Sequence, residues 1–393
     1  MNINVDQTFR FLPIPTDVHF GFGSLQTLPN HVRSLGARRA FVVTDPGVRD
    51  SGILDRVATV LAGAAIDFCV YDRVTADSGS ELISEAVDRL KTSRADAVVG
   101  VGGGSALDTA KAVAALATSS GSPLDYVGLH KVTIRPLPTI AIPTTAGTGS
   151  EVSLWAVFTD DERKLKVAMG GVLLYPTVAL CDPDLTLTLP PALTASTGMD
   201  ALAHAIECYT NTACQPISAA LALRAIELIG QHLRVAALGG GACQSREARY
   251  SMLVASTMAG MAMNATRLGL AHALAMPLGS WDLKIPHSVA IAVTLPIVME
   301  FNWPAAPDRF ADVARALGHH ADRGSQADAA RCAPAKVRAL ADAIGIPKGL
   351  SAYGLAERHV CTVVEEAMKS GNVAVNPRRT STEELADILR QAI

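Results

Sequence analysis

The chain predicts two domains of different texture: an α/β domain built on a parallel sheet, then an all-α domain. Three observations carry this. Short β-branched runs alternate with helical runs as far as Asp182, and a triple glycine, Gly102-Gly103-Gly104, stands between one such strand and one such helix. Beyond Leu189-Pro190-Pro191 long Ala/Leu-rich stretches take over. Strands alternating with helices argue for βαβ units in a doubly wound sheet. The boundary falls near Pro190, giving an α/β domain over 1-189 and a helical domain over 190-393. A length of 393 residues agrees with two domains.

The elements follow in order. Arg39-Ala-Phe-Val-Val-Thr44 is a strand, punctuated by Asp45-Pro46-Gly47, and a helix runs from about Ile53 to Ala62. Ala65 to Tyr71 is the next strand and Glu81 to Lys91 a helix. Ala95 to Val101 is a buried strand, followed by a helix from Ala106 to Ala117. Pro138 to Pro143 and Thr177 to Asp182 supply two more strands. In the second half Ala192 to Tyr209, Ile217 to Ala237, Glu247 to Met263 and Pro307 to Leu317 have helical texture, whereas Val289 to Val298 is ambiguous between strand and helix. Gly239 to Gly241 is a loop, and Arg378-Arg-Thr-Ser-Thr-Glu reads as a capped helix start.

Bulk properties narrow the function. Hydrophobic residues make up 49% and charged residues 18%, with a net charge of −3 and no long basic run. Nucleic acid and acidic membrane surfaces are therefore not expected partners. The N-terminus lacks the basic and apolar regions of a signal peptide. The most apolar stretch, near Val289 to Met299, reads as too short to span a bilayer. Seven cysteines with no CxxC pair suggest neither a disulfide framework nor a cysteine zinc site, so a reducing, cytoplasmic setting is expected.

Two glycine-rich loops suggest a nucleotide. Backbone N–H groups at a helix start after Gly102-Gly103-Gly104-Ser105 can approach a pyrophosphate closely; a tight βα turn is the plainer alternative. Pro143-Thr144-Thr145-Ala146-Gly147-Thr148-Gly149-Ser150-Glu151 offers hydroxyls and amides to a phosphate or a nicotinamide amide, or is a polar loop. Asp45, at the end of the first strand, suits two ribose hydroxyls and would repel a 2′-phosphate, favouring NAD over NADP. An Asp-Pro-Gly turn alone is otherwise just a turn.

Asp200 and His204 stand four residues apart in a helical run, so they share one face. A carboxylate and an imidazole so placed can grip one divalent ion, and His272 and His287, on either side of Met276-Pro-Leu-Gly, can complete the site. Three imidazoles and a carboxylate suit Fe(II) or Zn(II). Each residue alone has a plainer reading: a His on an Ala/Leu helix packs in the core or at the surface, and Asp200 caps a helix start. His232, His319, His320 and His359 lack such context and read as surface residues. Met252, Met258, Met261 and Met263 read as core packing.

Taken together, these segments resemble the iron-containing (group III) alcohol dehydrogenase family. The carriers are Gly102 to Lys111, Pro143 to Val152, Gly198 to Glu207, Asn264 to His272, Pro286-His287 and Asn376-Pro-Arg378, in family order over nearly the whole chain. The resemblance implies a dinucleotide-binding α/β domain and a helical domain, with the site in the cleft between them. It implies metal ligands at Asp200, His204, His272 and His287 and a pyrophosphate loop at Gly103, Gly104 and Ser105. Thr144, Thr145 and Thr148 match the loop lining the cofactor, Asp45 matches the ribose-contacting acid, and Lys166 and Leu185 fall near further cofactor-side positions. A homodimer or larger homo-oligomer is implied too. Two departures stand out. Where many members carry a further histidine four residues after the third ligand, this chain has Met276, a thioether that cannot exchange protons near neutral pH. In addition, His272 and His287 lie 15 residues apart, one more than usual, so Ser280 to Pro286 must absorb the excess as a loop or bulge.

The expected chemistry is reversible oxidation of an alcohol to an aldehyde or ketone. NAD takes the hydride, and Fe2+, or alternatively Zn2+, acts as a Lewis acid on the alcohol oxygen. The alternatives are a metal-independent maleylacetate-type reductase, a carbocycle-forming lyase related to dehydroquinate synthase, and a binding protein whose chemistry has decayed.

Overall fold

The computed structural model describes residues 8, 9, 11, 13–239, 245–280, 283, 285–319 and 325–393. The chain divides into two compact units, Ile14–Leu189 and Pro190–Ile393, the second taking in Met1–Pro13.

The first unit is built in βα order. β1 (Asp17–Phe20), α1 (Leu28–Ser34), β2 (Arg39–Val43), α2 (Pro46–Asp50), α3 (Ile53–Gly63) and β3 (Asp67–Tyr71) come first. They are followed by α4 (Ser80–Ser93), β4 (Ala97–Gly102), α5 (Gly104–Thr118), β5 (Gly128–Leu129) and β6 (Thr139–Pro143). A six-stranded sheet has the order β1-β9-β6-β4-β2-β3, where β9 is Val178–Cys181, and its neighbours all pair parallel. Strand alternation sends Phe41, Val43 and Val98 into one core and Ala40, Val42, Val99, Val101, Ile140 and Ile142 into the other. Both faces are therefore covered, which is why these strands read as continuous apolar runs. Gly100 faces α5, where a Cβ would come within 2.8 Å of the Ala110 Cβ, so the glycine lets an alanine-rich helix lie close to the sheet.

A second sheet was not foreseen. β7 (Trp155–Asp160) and β8 (Leu165–Gly170) pair antiparallel, and β5 adds to β8. The turn is closed by the Asp160 carboxylate, which accepts the N–H groups of Glu162 and Arg163 at 3.1 Å each. Buried Lys111 ties this hairpin to α5. Its ammonium pairs with Asp108 at 2.8 Å and donates to the carbonyls of Ser150 and Trp155. The other oxygen of Asp108 takes the Val157 N–H at 2.9 Å.

The second unit begins with α6 (Pro191–Thr210), α7 (Pro216–Leu238), α8 (Arg246–Thr266) and α9 (Leu270–Leu278). It continues with α10 (His287–Asn302), α11 (Pro307–Ala316), α12 (Gln326–Ala343), α13 (Glu357–Ala367), α14 (Gly371–Ala374) and α15 (Thr382–Arg390). α6 is the central member, buried at nearly every position from Thr194 to Thr210. Gly198 makes this possible, since a Cβ there would collide with Leu233 of α7. α15 starts with the foreseen cap: Ser381 and Glu384 form a reciprocal capping box.

Three readings need revision. The ambiguous run at Val289 to Val298 is helical, inside α10. With the turn that follows, His287–Ala305 forms 19 residues long and apolar enough to cross a membrane by length and composition. Most of that stretch is buried inside the unit, so core packing accounts for its apolarity. Of the four methionines taken as core, only Met252 is fully buried. The loop at 240–241, His320 and part of the 280–286 segment lie outside the described residues.

Candidate functional site

In the α/β unit the order in which strands are added switches sides between β2 and β4. β3 lies to one side of β2 and β4 to the other, and nucleotides bind beyond the carboxyl ends of strands at such a switch point. The structure brings the foreseen residues together there. Asp45 follows β2 and caps α2, its Oδ1 accepting the Val48 N–H at 3.0 Å. The plain turn-and-cap reading is thus true of one oxygen. The other faces the glycine loop: a Cβ on Gly102 would lie 3.0 Å from Asp45 Oδ2.

Gly103 and Gly104 open α5 without side chains, and at Gly104 there is no room for one. A Cβ on Gly104 would lie 2.7 Å from Thr148 Cγ2, and one on Gly103 would touch Thr145 at 3.4 Å. The Thr144 N–H bonds to the Gly102 carbonyl at 3.0 Å, so the second loop is stitched to the first. Ser105 Oγ donates to the Ala76 carbonyl at 2.8 Å. Lys166, on β8, pairs with neighbouring Asp77 at 2.8 Å. Leu185 is buried, its side chain in the same apolar core as Val101 of β4, Ile140 and Val178.

The helical unit holds the second constellation. Asp200, His204 and Glu207 project from one face of α6, at i, i+4 and i+7, and all are buried. Asp200 lies in mid-helix, so it is no cap. Ligand atoms of Asp200, His204 and His272 all lie within 4.8 Å of one another. His204 Nδ1 is 3.9 Å and His272 Nε2 3.4 Å from Asp200 Oδ1. His287, the first residue of α10, completes the ring: its imidazole centroid is 5.7 Å from that of His272. Burial pushes the Asp200 carboxyl up, but the three imidazoles outweigh it and hold the group well below the usual carboxylate range.

His272 is set in place by Glu207, a residue that sequence reasoning passed over. Glu207 accepts the N–H groups of Gly269 and Ala271 at 2.8 Å each and meets His272 Nδ1 at 2.6 Å. It thereby caps α9 from outside and fixes the imidazole in its first turn. Gly269 has no room for a side chain, since its Cβ would lie 2.8 Å from Glu207 Oε1. Burial lowers the His272 pKa, but the negative charges of Glu207 and Asp200 and the hydrogen bond to Glu207 prevail and raise it to about 9. The chain reaches α9 through Arg267, a non-glycine residue at φ 63 and ψ −167. Its carbonyl is held by Asn211 Nδ2 at 3.2 Å and Thr266 Oγ1 at 2.8 Å. The helical spacing from Asp200 was the signal that could have found Glu207.

The donor set fits a divalent ion. Asp200 Oδ1 and His272 Nε2 are buried and face each other without a hydrogen bond. When His272 is neutral with Nδ1–H donated to Glu207, both facing atoms are acceptors, an arrangement a cation satisfies.

A parallel sheet with a switch point and a buried His/Asp centre are features that recur in nucleotide- and metal-dependent enzymes. Comparison with known proteins gives the family. The iron-containing alcohol dehydrogenase family model matches residues 15–183, and the C-terminal model of the same family matches residues 194–393. The chain belongs to the iron-containing alcohol dehydrogenase family. It is 37% identical over 381 residues to choline dehydrogenase of Bacillus subtilis, covering 96% of this chain and 94% of that one. A crystal structure of 1,3-propanediol oxidoreductase superposes with a TM-score of 0.94 at 37% identity, covering 98% of this chain and 100% of that one. Sulfoacetaldehyde reductase of Bifidobacterium kashiwanohense, solved with NAD+, superposes with a TM-score of 0.87 at 29% identity, covering 98% and 99%. The protein is an alcohol dehydrogenase of the iron-containing type.

Proposed function

We propose that this chain interconverts an alcohol with its aldehyde or ketone, using NAD and a divalent ion held by Asp200, His204, His272 and His287. Iron(II) is the first choice and zinc the alternative, since the ligand set suits both. The observation that carries the reading is the facing pair Asp200 Oδ1 and His272 Nε2, 3.4 Å apart and buried. When bound, the ion supplies Lewis acidity that lowers the pKa of an alcohol oxygen. NAD supplies the hydride acceptor.

The residues of the chain do the rest. Glu207 holds Nδ1 of His272, so that Nε2 presents its lone pair toward Asp200. α6 fixes Asp200 and His204 on one rigid turn, and the burial of Asp200, His204 and His272 keeps water from competing for these atoms. In the α/β unit Gly103, Gly104 and Ser105 offer a side-chain-free helix start to a pyrophosphate. Thr144, Thr145 and Thr148 line the adjoining loop, and Asp45 Oδ2 is left to accept from a ribose. That carboxylate disfavours a 2′-phosphate, which supports NAD over NADP; the NAD+ held by the sulfoacetaldehyde reductase neighbour supports the same choice. Lys166 positions Asp77 beside the Ser105 turn. Met276 stands one turn after His272 on α9 and cannot carry a proton, so any relay runs through water, ribose hydroxyls or another residue. Among the described residues Cys69, Cys181, Cys208, Cys214, Cys332 and Cys361 form no disulfide, which suits a reducing cytoplasm. A homo-oligomeric state, testable by light scattering, completes the reading.

Elemental analysis of the purified protein, with NAD and NADP reduction screened across alcohols and hydroxy acids, tests it. Asp200→Ala is expected to lose metal and turnover while keeping NAD affinity; turnover retained without metal would sink the proposal. Chelator-resistant reduction of an unsaturated keto acid would instead indicate the maleylacetate-type reductase, and turnover without net NADH the lyase.

A further inference from the structure

A second group of metal-ligating side chains lies in the α/β unit, far in sequence from Asp200 and on different elements. Asp17 and His19 are i and i+2 on β1, so the pleat sends both to one side of the edge strand. α1 brings His31 to them. The two imidazoles meet at a centroid distance of 4.1 Å, edge to face at 61°. His19 Nε2 lies 2.9 Å from Asp17 Oδ2, and the ligand atoms of all three residues lie within 4.8 Å of one another.

We propose that Asp17, His19 and His31 form a second metal site, one that takes a nitrogen-preferring divalent transition ion such as Zn2+ and leaves the remaining coordination positions to water. Donors sharing one zinc at about 2.0–2.2 Å stand roughly 3–4 Å apart. The group therefore needs only side-chain rotation to close on an ion. Two imidazoles select zinc, nickel or copper over magnesium or calcium, which prefer all-oxygen ligands. Without an ion the arrangement holds itself weakly. The side chains of His19 and Asp17 are 40% and 68% exposed, and a pair so open to solvent adds little to stability. The two adjacent imidazoles would also repel if both were charged. Burial, then the neighbouring His19, lowers the His31 pKa and favours the neutral, ligating form. An ion here would pin edge strand β1 to α1 and stabilise the α/β unit by mass action.

The test is titration of the metal-loaded enzyme with zinc chloride, followed by calorimetry, beside the His19→Ala/His31→Ala double variant. Wild type is expected to take one equivalent more than the variant, at micromolar free zinc, with a rise in the unfolding temperature that the variant lacks. Asp17→Asn should weaken that equivalent without abolishing it. Because the readout is the difference between two proteins that share Asp200, His204, His272 and His287, it stands whether or not those residues bind metal. Equal stoichiometry in wild type and the folded double variant would overturn the proposal. So would a wild-type equivalent displaced by millimolar magnesium.

Discussion

Replacing Glu207 with glutamine separates two roles that the carboxylate combines. Oε2 accepts from Gly269 N–H at 2.8 Å and meets His272 Nδ1 at 2.6 Å, while Oε1 accepts from Ala271 N–H at 2.8 Å. Glutamine has the same shape but only one acceptor oxygen. With its oxygen on the Oε2 side, its NH2 confronts the Ala271 N–H. Turned over, it confronts Gly269 and His272. Either way at least one buried donor loses its partner, at about 1–3 kcal/mol. The substitution also withdraws the charge that keeps Nδ1 protonated. Outer-shell partners of metal-bound histidines are worth about 10–100-fold in metal affinity. The assays are urea unfolding and metal competition against a chelating dye, with NAD affinity as the control. Metal affinity is expected to fall within that range and the urea midpoint to drop, while NAD affinity holds. A lowered midpoint with wild-type metal affinity would refute the reasoning, reducing Glu207 to a cap for α9.

Three further outcomes are expected. Asp45→Ser keeps a capping oxygen for α2 and removes the charge beside the glycine loop; the ratio of kcat/KM for NADP over NAD should rise with stability unchanged, and a constant ratio would refute the ribose role. Gly104→Ala places a Cβ 2.7 Å from Thr148 Cγ2, so NAD affinity should fall about tenfold, the equivalent of one displaced hydrogen bond, with metal content intact by elemental analysis. The third concerns pH. His272 is raised from an ordinary 6.5 to about 9 in the metal-free protein, so its contribution to stability is full below pH 6.5 and is lost as pH rises through about 9. Metal must displace that proton, so affinity should climb about tenfold per pH unit toward 9 and then level off; a flat titration between pH 6.5 and 8.5 would contradict the assignment.

Much of this was legible because it is local. β2, α3, α4 and α5 announce themselves in runs of apolar residues and in the glycines that punctuate them, and the i, i+4 spacing of Asp200 and His204 is a property of one helix. The hairpin of β7 and β8 was not legible. Its strand at Trp155–Asp160 alternates partly buried and buried residues and acquires its identity by pairing with Leu165–Gly170 and by the long-range grip of Lys111 and Asp108 on α5. Glu207 stood in plain view on the Asp200 face, but its partners Gly269, Ala271 and His272 are more than 60 positions further along, and only folding brings them to it.

The space that Gly269 leaves empty is filled by Glu207, and this binds the histories of the two positions together. Any side chain at 269 must push the carboxylate aside, and a shorter residue at 207 releases both the start of α9 and the imidazole beside it. Neither position can drift by a single neutral step. In a library of random variants the pair should therefore behave as one locus, with substitutions at 269 surviving only alongside a change at 207, and those survivors depleted in metal.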